Sequence, residues 1–235
     1  MELETLTVYK SPLPKIRLGK NNDGGYVMVD GCNIDFLLSA GVSDDVSFEI
    51  DFLNKYKTIN AVAFDGTVNR LPQQHSKLTF VQKNVGNIVS SSIDNLHSYL
   101  NSYNNIFLKM DIEGCEYDWI NTLSKEQMNN ISQVVMEFHL HLDKHWTGDY
   151  SIFCNNMIKK WYDTHVLVHL HPNNCQPTRK LQGQDFPLVF EVCFLRKDYF
   201  KDFPLTLSTE PIPGELDQIN VHCCPLITLK GYPYN

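Results

Sequence analysis

One pattern limits what this chain can fold into. From Ile34 onward, short apolar runs alternate with segments of helical spacing, and the alternation ends only at Arg196. FLLSA, ending at Gly41, reads as a buried strand. DDVSFEIDFLNKYK follows, with Val46, Ile50 and Leu53 at helical spacing and with Asp44 and Asp45 where an N-cap belongs. INAVAFDG and LTFVQKN read as strands, and SSIDNLHSYLNSY as a helix with Ile93, Leu96, Leu100 and Tyr103 on one face. NIFLKMD is a strand, CEYDWINTLSKEQMNN a helix and QVVMEFHLH a strand. YSIFCNNMIKKWYD is a helix with Tyr150, Phe153, Met157 and Trp161 on one side. HVLVHLH and PLVFEVCFLR close the series. Between these two, NNCQPTRKLQGQDF reads as a loop, so they are expected to pair antiparallel at one edge. The whole predicts an α/β fold: a mostly parallel seven-stranded sheet, covered on both faces, with an antiparallel edge hairpin.

The flanks are less regular. Asp23, Gly24 and Gly25 predict a turn, and with it an N-terminal β-hairpin within residues 1–31, ahead of a core at 32–196. The extension 197–235 holds many of the prolines and no clear period; ordered packing and partial mobility are both open. A length of 235 residues suits one sizeable domain and is short for two.

Composition excludes several classes. A hydrophobic share of 43% and a charged share of 20% are those of an ordinary globular protein. The net charge of -7 argues against a duplex nucleic-acid partner, which calls for a basic face. The N-terminus has no apolar signal region and no run reaches transmembrane length, so a cytoplasmic chain without membrane insertion is expected. The seven cysteines are scattered with no CxxC pair, which fits a reducing compartment.

In an open α/β sheet, ligands bind beyond the carboxyl ends of the strands. Here that end carries Gly41, Asp65, Lys83 and Asn84, Asp111 and Glu137. The turn SAGVSDD lacks the GxGxxG spacing of a dinucleotide fingerprint, and no GxxxxGK[ST] phosphate loop occurs anywhere. Asp44 and Asp45, just after Gly41, would repel a pyrophosphate but not a cofactor carrying an ammonium and a sulfonium. That favours S-adenosylmethionine over a nicotinamide dinucleotide; the plainer reading is that both residues only cap the helix. Asp65 can accept both ribose hydroxyl hydrogens, or serve as a turn residue in FDGT.

SAGVSDDVSFE, AFDGT, LKMDIEGCEYD and VVMEFH, in this order, resemble the FkbM-type methyltransferases, with KMDIEGCE the most specific piece. RLGKNNDGGYV, HLHPNN and PLVFEVCFL are similar to parts of the wider group, so the likeness covers residues 17–196. It implies a Rossmann-like class I methyltransferase fold that binds S-adenosylmethionine and methylates a hydroxyl, often on a sugar or glycosylated product. Carried over, Gly41, Val42 and Asp44 would hold the methionine part, and Asp65 with Gly66 the ribose. Glu49 falls in the family's SFE piece. Asp111 and Glu113 would stand beside the transferred methyl. Asp23, Gly24 and Tyr26 would lie over the cofactor.

The acceptor hydroxyl needs a base or a metal ion. Asp111, His139 and His171 are the candidate bases. Side chains two apart on a strand share a face, so Glu137, His139 and His141 can line one side. Asp111, Glu137 and His139 form an O, O, N set suited to Mg2+ or Mn2+, or else hold ordinary ion pairs and hydrogen bonds. Asn173 and Asn174 in HLHPNN can bind sugar hydroxyls, though Asn-rich turns are also simply turns. Trp146 can stack on a sugar ring.

The expected partner is therefore a small-molecule or glycan acceptor. Two rivals stand beside this reading. A metal-dependent glycosyltransferase would use Asp111 and Glu113 as its acidic pair. A degenerate methyltransferase fold would serve as an interaction module. Methylation of RNA is disfavoured by the acidic balance and the missing basic–aromatic run.

Overall fold

The computed structural model describes residues 2–140, 148–181, 183–231 and 233–234. A hairpin of β1 (Lys15–Leu18) and β2 (Tyr26–Val29) opens the chain. The core follows as β3 (Phe36–Ala40), α1 (Ser47–Lys55), β4 (Asn60–Phe64) and β5 (Leu78–Val81). Next come the two-residue strands β6 (Asn84–Val85) and β7 (Ile93–Asp94), the single turn α2 (His97–Leu100) and β8 (Ile106–Met110). α3 (Glu116–Thr122), α4 (Lys125–Asn129), β9 (Ile131–His139), α5 (Gly148–Trp161) and β10 (His165–Pro172) continue it. The small hairpin β11 (Thr178–Leu181) and β12 (Gln184–Pro187) precedes β13 (Val189–Arg196).

Seven of these strands form one sheet in the order β5-β4-β3-β8-β9-β13-β10. All run parallel except β13, which inserts antiparallel between β9 and β10. Counted along the chain this order is 3-2-1-4-5-7-6, the arrangement of the Rossmann-like class I methyltransferase fold. The expected antiparallel edge pair is present, and its second strand lies inside the sheet rather than at the rim.

The strand alternation assigns the two faces. Leu38, Leu108, Val134 and Phe194 point into the core covered by α3 and α5, through Trp119, Ile120, Ile158 and Trp161. Leu37, Phe107, Val135 and Leu195 point the other way, under Phe48 and Phe52 of α1 and Tyr26 and Met28 of β2. Gln133 pins the hairpin to this second face: its amide accepts from Val29 N at 2.6 Å and donates to Val29 O at 3.0 Å.

Four local expectations are corrected. The helix expected over SSIDNLHSYLNSY shrinks to one turn, because Asp94 and Asn95 accept from the amides of Leu96 and His97 and Leu96 adopts a positive φ of 64°. Such side-chain-to-backbone bonds compete with helix. CEYDWINTLSKEQMNN splits at Leu123, where Ser124 and Gln127 make a capping box that starts a new helix. The segment read as a loop before the last strand contains the β11–β12 hairpin. Neither Asp44 nor Asp45 is the N-cap of α1; Val46 is, without a side-chain bond, while Asp45 accepts from Ser47 N and pairs with Lys20.

The C-terminal extension is ordered packing. Ile212, Leu229 and Tyr234 join the core, and Ser208 N donates to Val8 O. Among the described residues, no helix is long and apolar enough to cross a membrane.

Gly41 shows what the junction of β3 and β8 demands. Its φ is +74°, and a Cβ there would stand 1.5 Å from the Asp111 carbonyl oxygen. The glycine is therefore required by the chain's own backbone, whatever ligand lies beyond it. Gly41→Ala is expected to lower unfolding free energy by roughly 2–4 kcal/mol, read as a shifted midpoint in urea denaturation; a change below about 0.5 kcal/mol would contradict this close approach.

Candidate active site

Polar residues gather on the second face, at the carboxyl ends of the central strands. Asp111 directly follows β8, whose Met110 pairs with Met136, so it shares a row with Glu137. Glu137 pairs with Glu191 of β13, and Glu191 pairs with His171 of β10. Four ionisable groups thus cross four strands in a single row.

The turn DIEGC that leads from β8 into α3 is tight. Glu113 and Gly114 both take positive φ, at 56° and 95°. This curls the backbone so that the amides of Ile112 and Gly114 reach Glu116 Oε1, at 3.2 and 3.1 Å. The same oxygen meets His139 Nδ1 at 3.1 Å. Glu116 is 0% exposed. A carboxylate only accepts, so Nδ1 carries the hydrogen and Nε2 is left for the other side of the ring. Nε2 there lies 3.9 Å from Asp111, 3.6 Å from Glu113 and 3.5 Å from Glu137.

These groups line a cavity of about 360 Å³ with Asp23, Leu140, Asn173, Cys175 and Gln176. Among the described residues, four of its lining side chains are carboxyls and none is Lys or Arg. Burial, reinforced by the charges of Asp111, Glu191 and Asp23, raises the Glu137 carboxyl well above the usual range. Burial and the neighbouring Asp111 likewise hold the Tyr26 phenol in its neutral form. Tyr26 donates to Asp111 Oδ2 at 3.1 Å. Burial depresses the His139 imidazole, but the Glu116 hydrogen bond and the nearby carboxylates outweigh it and leave the ring more basic than free imidazole. Ligand atoms of Asp111, Glu137 and His139 lie within 4.8 Å of one another, close enough to hold one metal ion.

The other candidates divide by their place in the fold. Asp23, Tyr26, Glu113, Glu137, His139 and Asn173 come together with Asp111, as described; Asn173 donates to Glu137 at 3.0 Å. Gly41, Val42, Asp65 and Gly66 stand at the neighbouring ends of β3 and β4, outside the cavity lining. Asp65 ties that region together, accepting from Ser43 N at 2.8 Å and from Thr67 N at 2.7 Å. Burial pushes its carboxyl up, but the bonds from Thr67 and Ser43 outweigh this and hold it below the usual range. Asp44 is exposed, Glu49 is buried against Ser39 Oγ at 2.5 Å, and Gly24 packs on Asp45. His141 and Trp146 lie outside the described residues.

His171 is a correction. It does not line the cavity; its Nε2 meets Asn220 Oδ1 at 2.9 Å and its Nδ1 faces Asp217 at 3.6 Å. Asn220 in turn donates to Glu191 at 2.8 Å, and His169 pairs with Asp217 at 2.8 Å. Asn174 is likewise spent on the tail, donating to the carbonyls of Val221 and Cys224. This network fastens residues 217–224 over the sheet.

Glu116, Glu191, Asp217 and Asn220 were not legible as site residues in the sequence. Glu116 has the guise of an ordinary first-turn helix acid, and the others depend on strand pairing and on the path of the tail.

No protein-family model matches the chain, and no curated protein matches it. Among solved structures it is similar to a Clostridium thermocellum chain assigned as an rRNA-methylase, at 10% identity and a TM-score of 0.33, over 69% of this chain and 86% of that one. It is also similar to the plantazolicin methyltransferase BpumL in complex with SAH, at 10% identity and a TM-score of 0.31, over 69% and 76% of the two chains. The fold assignment rests on the strand order given above, not on these distant likenesses.

The tail network has a pH signature. Burial alone would depress His171, but the Glu191 and Asp217 carboxylates raise it to about 9. A base whose folded pKa is raised contributes stability below its unfolded value and loses it as pH climbs through the folded one. Stability is expected to fall by on the order of 2 kcal/mol as pH rises from about 6.5 through about 9. Glu191, raised by burial to about 7, titrates earlier, so its own contribution is largely complete above that pH. Urea melts across this range should show the slope, and His171→Gln should flatten it; an equal slope in the variant would refute the assignment.

Proposed function

We propose that the chain is an S-adenosylmethionine-dependent O-methyltransferase of the FkbM type, acting on a hydroxyl of a small molecule, foremost a sugar or glycan. One observation carries this reading: a cavity at the carboxyl ends of parallel strands whose lining, among the described residues, holds four carboxyl groups and one histidine but no Lys or Arg. Such a wall suits a cationic ligand and repels a nucleotide diphosphate.

When bound, S-adenosylmethionine supplies an electrophilic methyl group on a positively charged sulfur. Asp111 and Glu113 would face that charge. Asp65, held in its ionised form, retains acceptor capacity for ribose hydroxyls, since each carboxylate oxygen accepts more than one bond. Tyr26 orients Asp111 from above, and the hairpin that carries it keeps water from this face. The acceptor oxygen gains a methyl group and must lose its proton. In the metal-free chain His139 Nε2 takes that proton, with Glu116 fixing the ring from behind. Asn173 and Gln176 on the cavity wall offer amides to the acceptor's other hydroxyls.

Charge gives the sharpest test, because S-adenosylmethionine carries the sulfonium and S-adenosylhomocysteine does not. By calorimetry, Asp111→Asn is expected to weaken S-adenosylmethionine about tenfold (about 1.4 kcal/mol), and S-adenosylhomocysteine less than about threefold. Transfer of labelled methyl to a panel of sugars should fall in parallel. Binding of neither compound by the unmodified chain, or tight binding of a nucleotide sugar instead, would overturn the proposal.

A further inference from the structure

We propose that Asp111, Glu137 and His139 form a divalent-cation site, taking Mg2+ or Mn2+, with Glu116 as the residue that positions its histidine. Three independent features converge on it. The first is geometry: one carboxylate oxygen from each acid and one imidazole nitrogen lie within 4.8 Å of one another, supplied by two neighbouring strand ends. That donor set is the oxygen-rich kind preferred by hard divalent ions, with one nitrogen.

The second is what the acids lack. Asp111 Oδ1 is fully buried and has no hydrogen-bond partner among the described residues. Glu137 is 4% exposed, and of its two oxygens only Oε1 accepts a hydrogen bond among them, from Asn173. Buried carboxylate oxygens are costly to leave uncompensated. Among the described residues no Lys or Arg lines the cavity to compensate them. Lys109, the buried cation nearest in sequence, is committed elsewhere: its Nζ donates to Gly41 O at 2.7 Å and lies 5.2 Å from the Tyr26 ring centre.

The third is the support behind the histidine. A metal-bound imidazole commonly donates its other ring N–H to a carboxylate, which sets the tautomer and ring direction. His139 does so to Glu116, a wholly buried acid with two backbone amides on the same oxygen. This arrangement holds the Nε2 lone pair on the cavity side, toward Asp111 and Glu137.

Three protein ligands leave positions open for water or for two neighbouring hydroxyls of one sugar. The acceptor's part in this rests on the methyltransferase reading, whereas ion binding does not. With the ion bound, Nε2 is a ligand rather than the proton acceptor. The ion then acidifies the hydroxyl it holds, whose proton leaves to water.

The test uses the full chain, stripped with EDTA and titrated with MnCl2, with free Mn2+ followed by electron paramagnetic resonance. One ion per chain is expected. Glu137→Gln and His139→Asn should each weaken uptake at least about tenfold, and Glu116→Gln by about 10–100-fold. In the unmodified protein, spin-echo modulation of bound Mn2+ should show one imidazole nitrogen, a readout independent of how the variants fold. No saturable uptake, undiminished uptake in Glu137→Gln, or bound Mn2+ without nitrogen coupling would each overturn the proposal. S-adenosylhomocysteine binding to the stripped chain is measured alongside. Its loss would count against the methyltransferase reading, while failure of Mn2+ uptake alone would count against the ion site.

Discussion

The Glu116 carboxyl is the contact on which the candidate site depends. It lies in the first turn of α3, wholly buried, and a single oxygen serves the amides of Ile112 and Gly114 and the imidazole of His139. The amide bonds shape the turn that delivers Asp111 and Glu113. The imidazole bond turns His139 from a strand-end residue into a directed base or ligand. Buried polar oxygens are costly unless bonded: Oε1 takes three donors, whereas Oε2 is buried with no hydrogen-bond partner among the described residues. Without Glu116, the tight backbone at Glu113 and Gly114 would have no side chain to satisfy its freed amides.

A second constraint operates at the neighbouring junction. β3 and β8 end so close together that the Gly41 Cα–H side lies against the Asp111 carbonyl. Lys109 then bonds the Gly41 carbonyl from below, and Asp65 bonds Ser43 N from the next strand. The strand ends that face the candidate ligand are thus mutually braced. The hairpin and the C-terminal extension complete the enclosure. Tyr26 reaches Asp111 from β2, while from the tail Asp217 bonds His169 and Asn220 bonds His171 Nε2 and Glu191. Two segments with little period of their own therefore roof the most polar part of the sheet.

The alternation of apolar runs and helical periods made the seven sheet strands legible, because their identity depends on local pattern and on burial of both faces. Where a short-range competitor intervened, the pattern misled. Asp94 and Asn95 capture nearby amides and unmake most of a helix, and Ser124 restarts one after Leu123. The cluster of Asp111, Glu137 and His139 was legible because strand ends and two-residue spacing are local information. Glu116 was not, since its role comes from a turn three-dimensional in origin. Nor were Asp217 and Asn220, whose histidine partners lie more than forty residues away across a tail without periodicity. His171 looked like a base by residue type, and only the path of that tail shows it to be a fastening.

The proposed ligand site joins two neighbouring parts of one sheet end: the acidic cavity at the carboxyl ends of β8 and β9, and the Asp65 junction at those of β3 and β4. A crystal structure of the full chain soaked with S-adenosylhomocysteine examines that claim most directly. The ligand is expected to run from the Ser43–Asp65 junction, with its ribose at Asp65, to a sulfur facing Asp111 and His139. A ligand seated instead in the groove between Pro177 and Leu226, or density nowhere along β3 and β8, would contradict it.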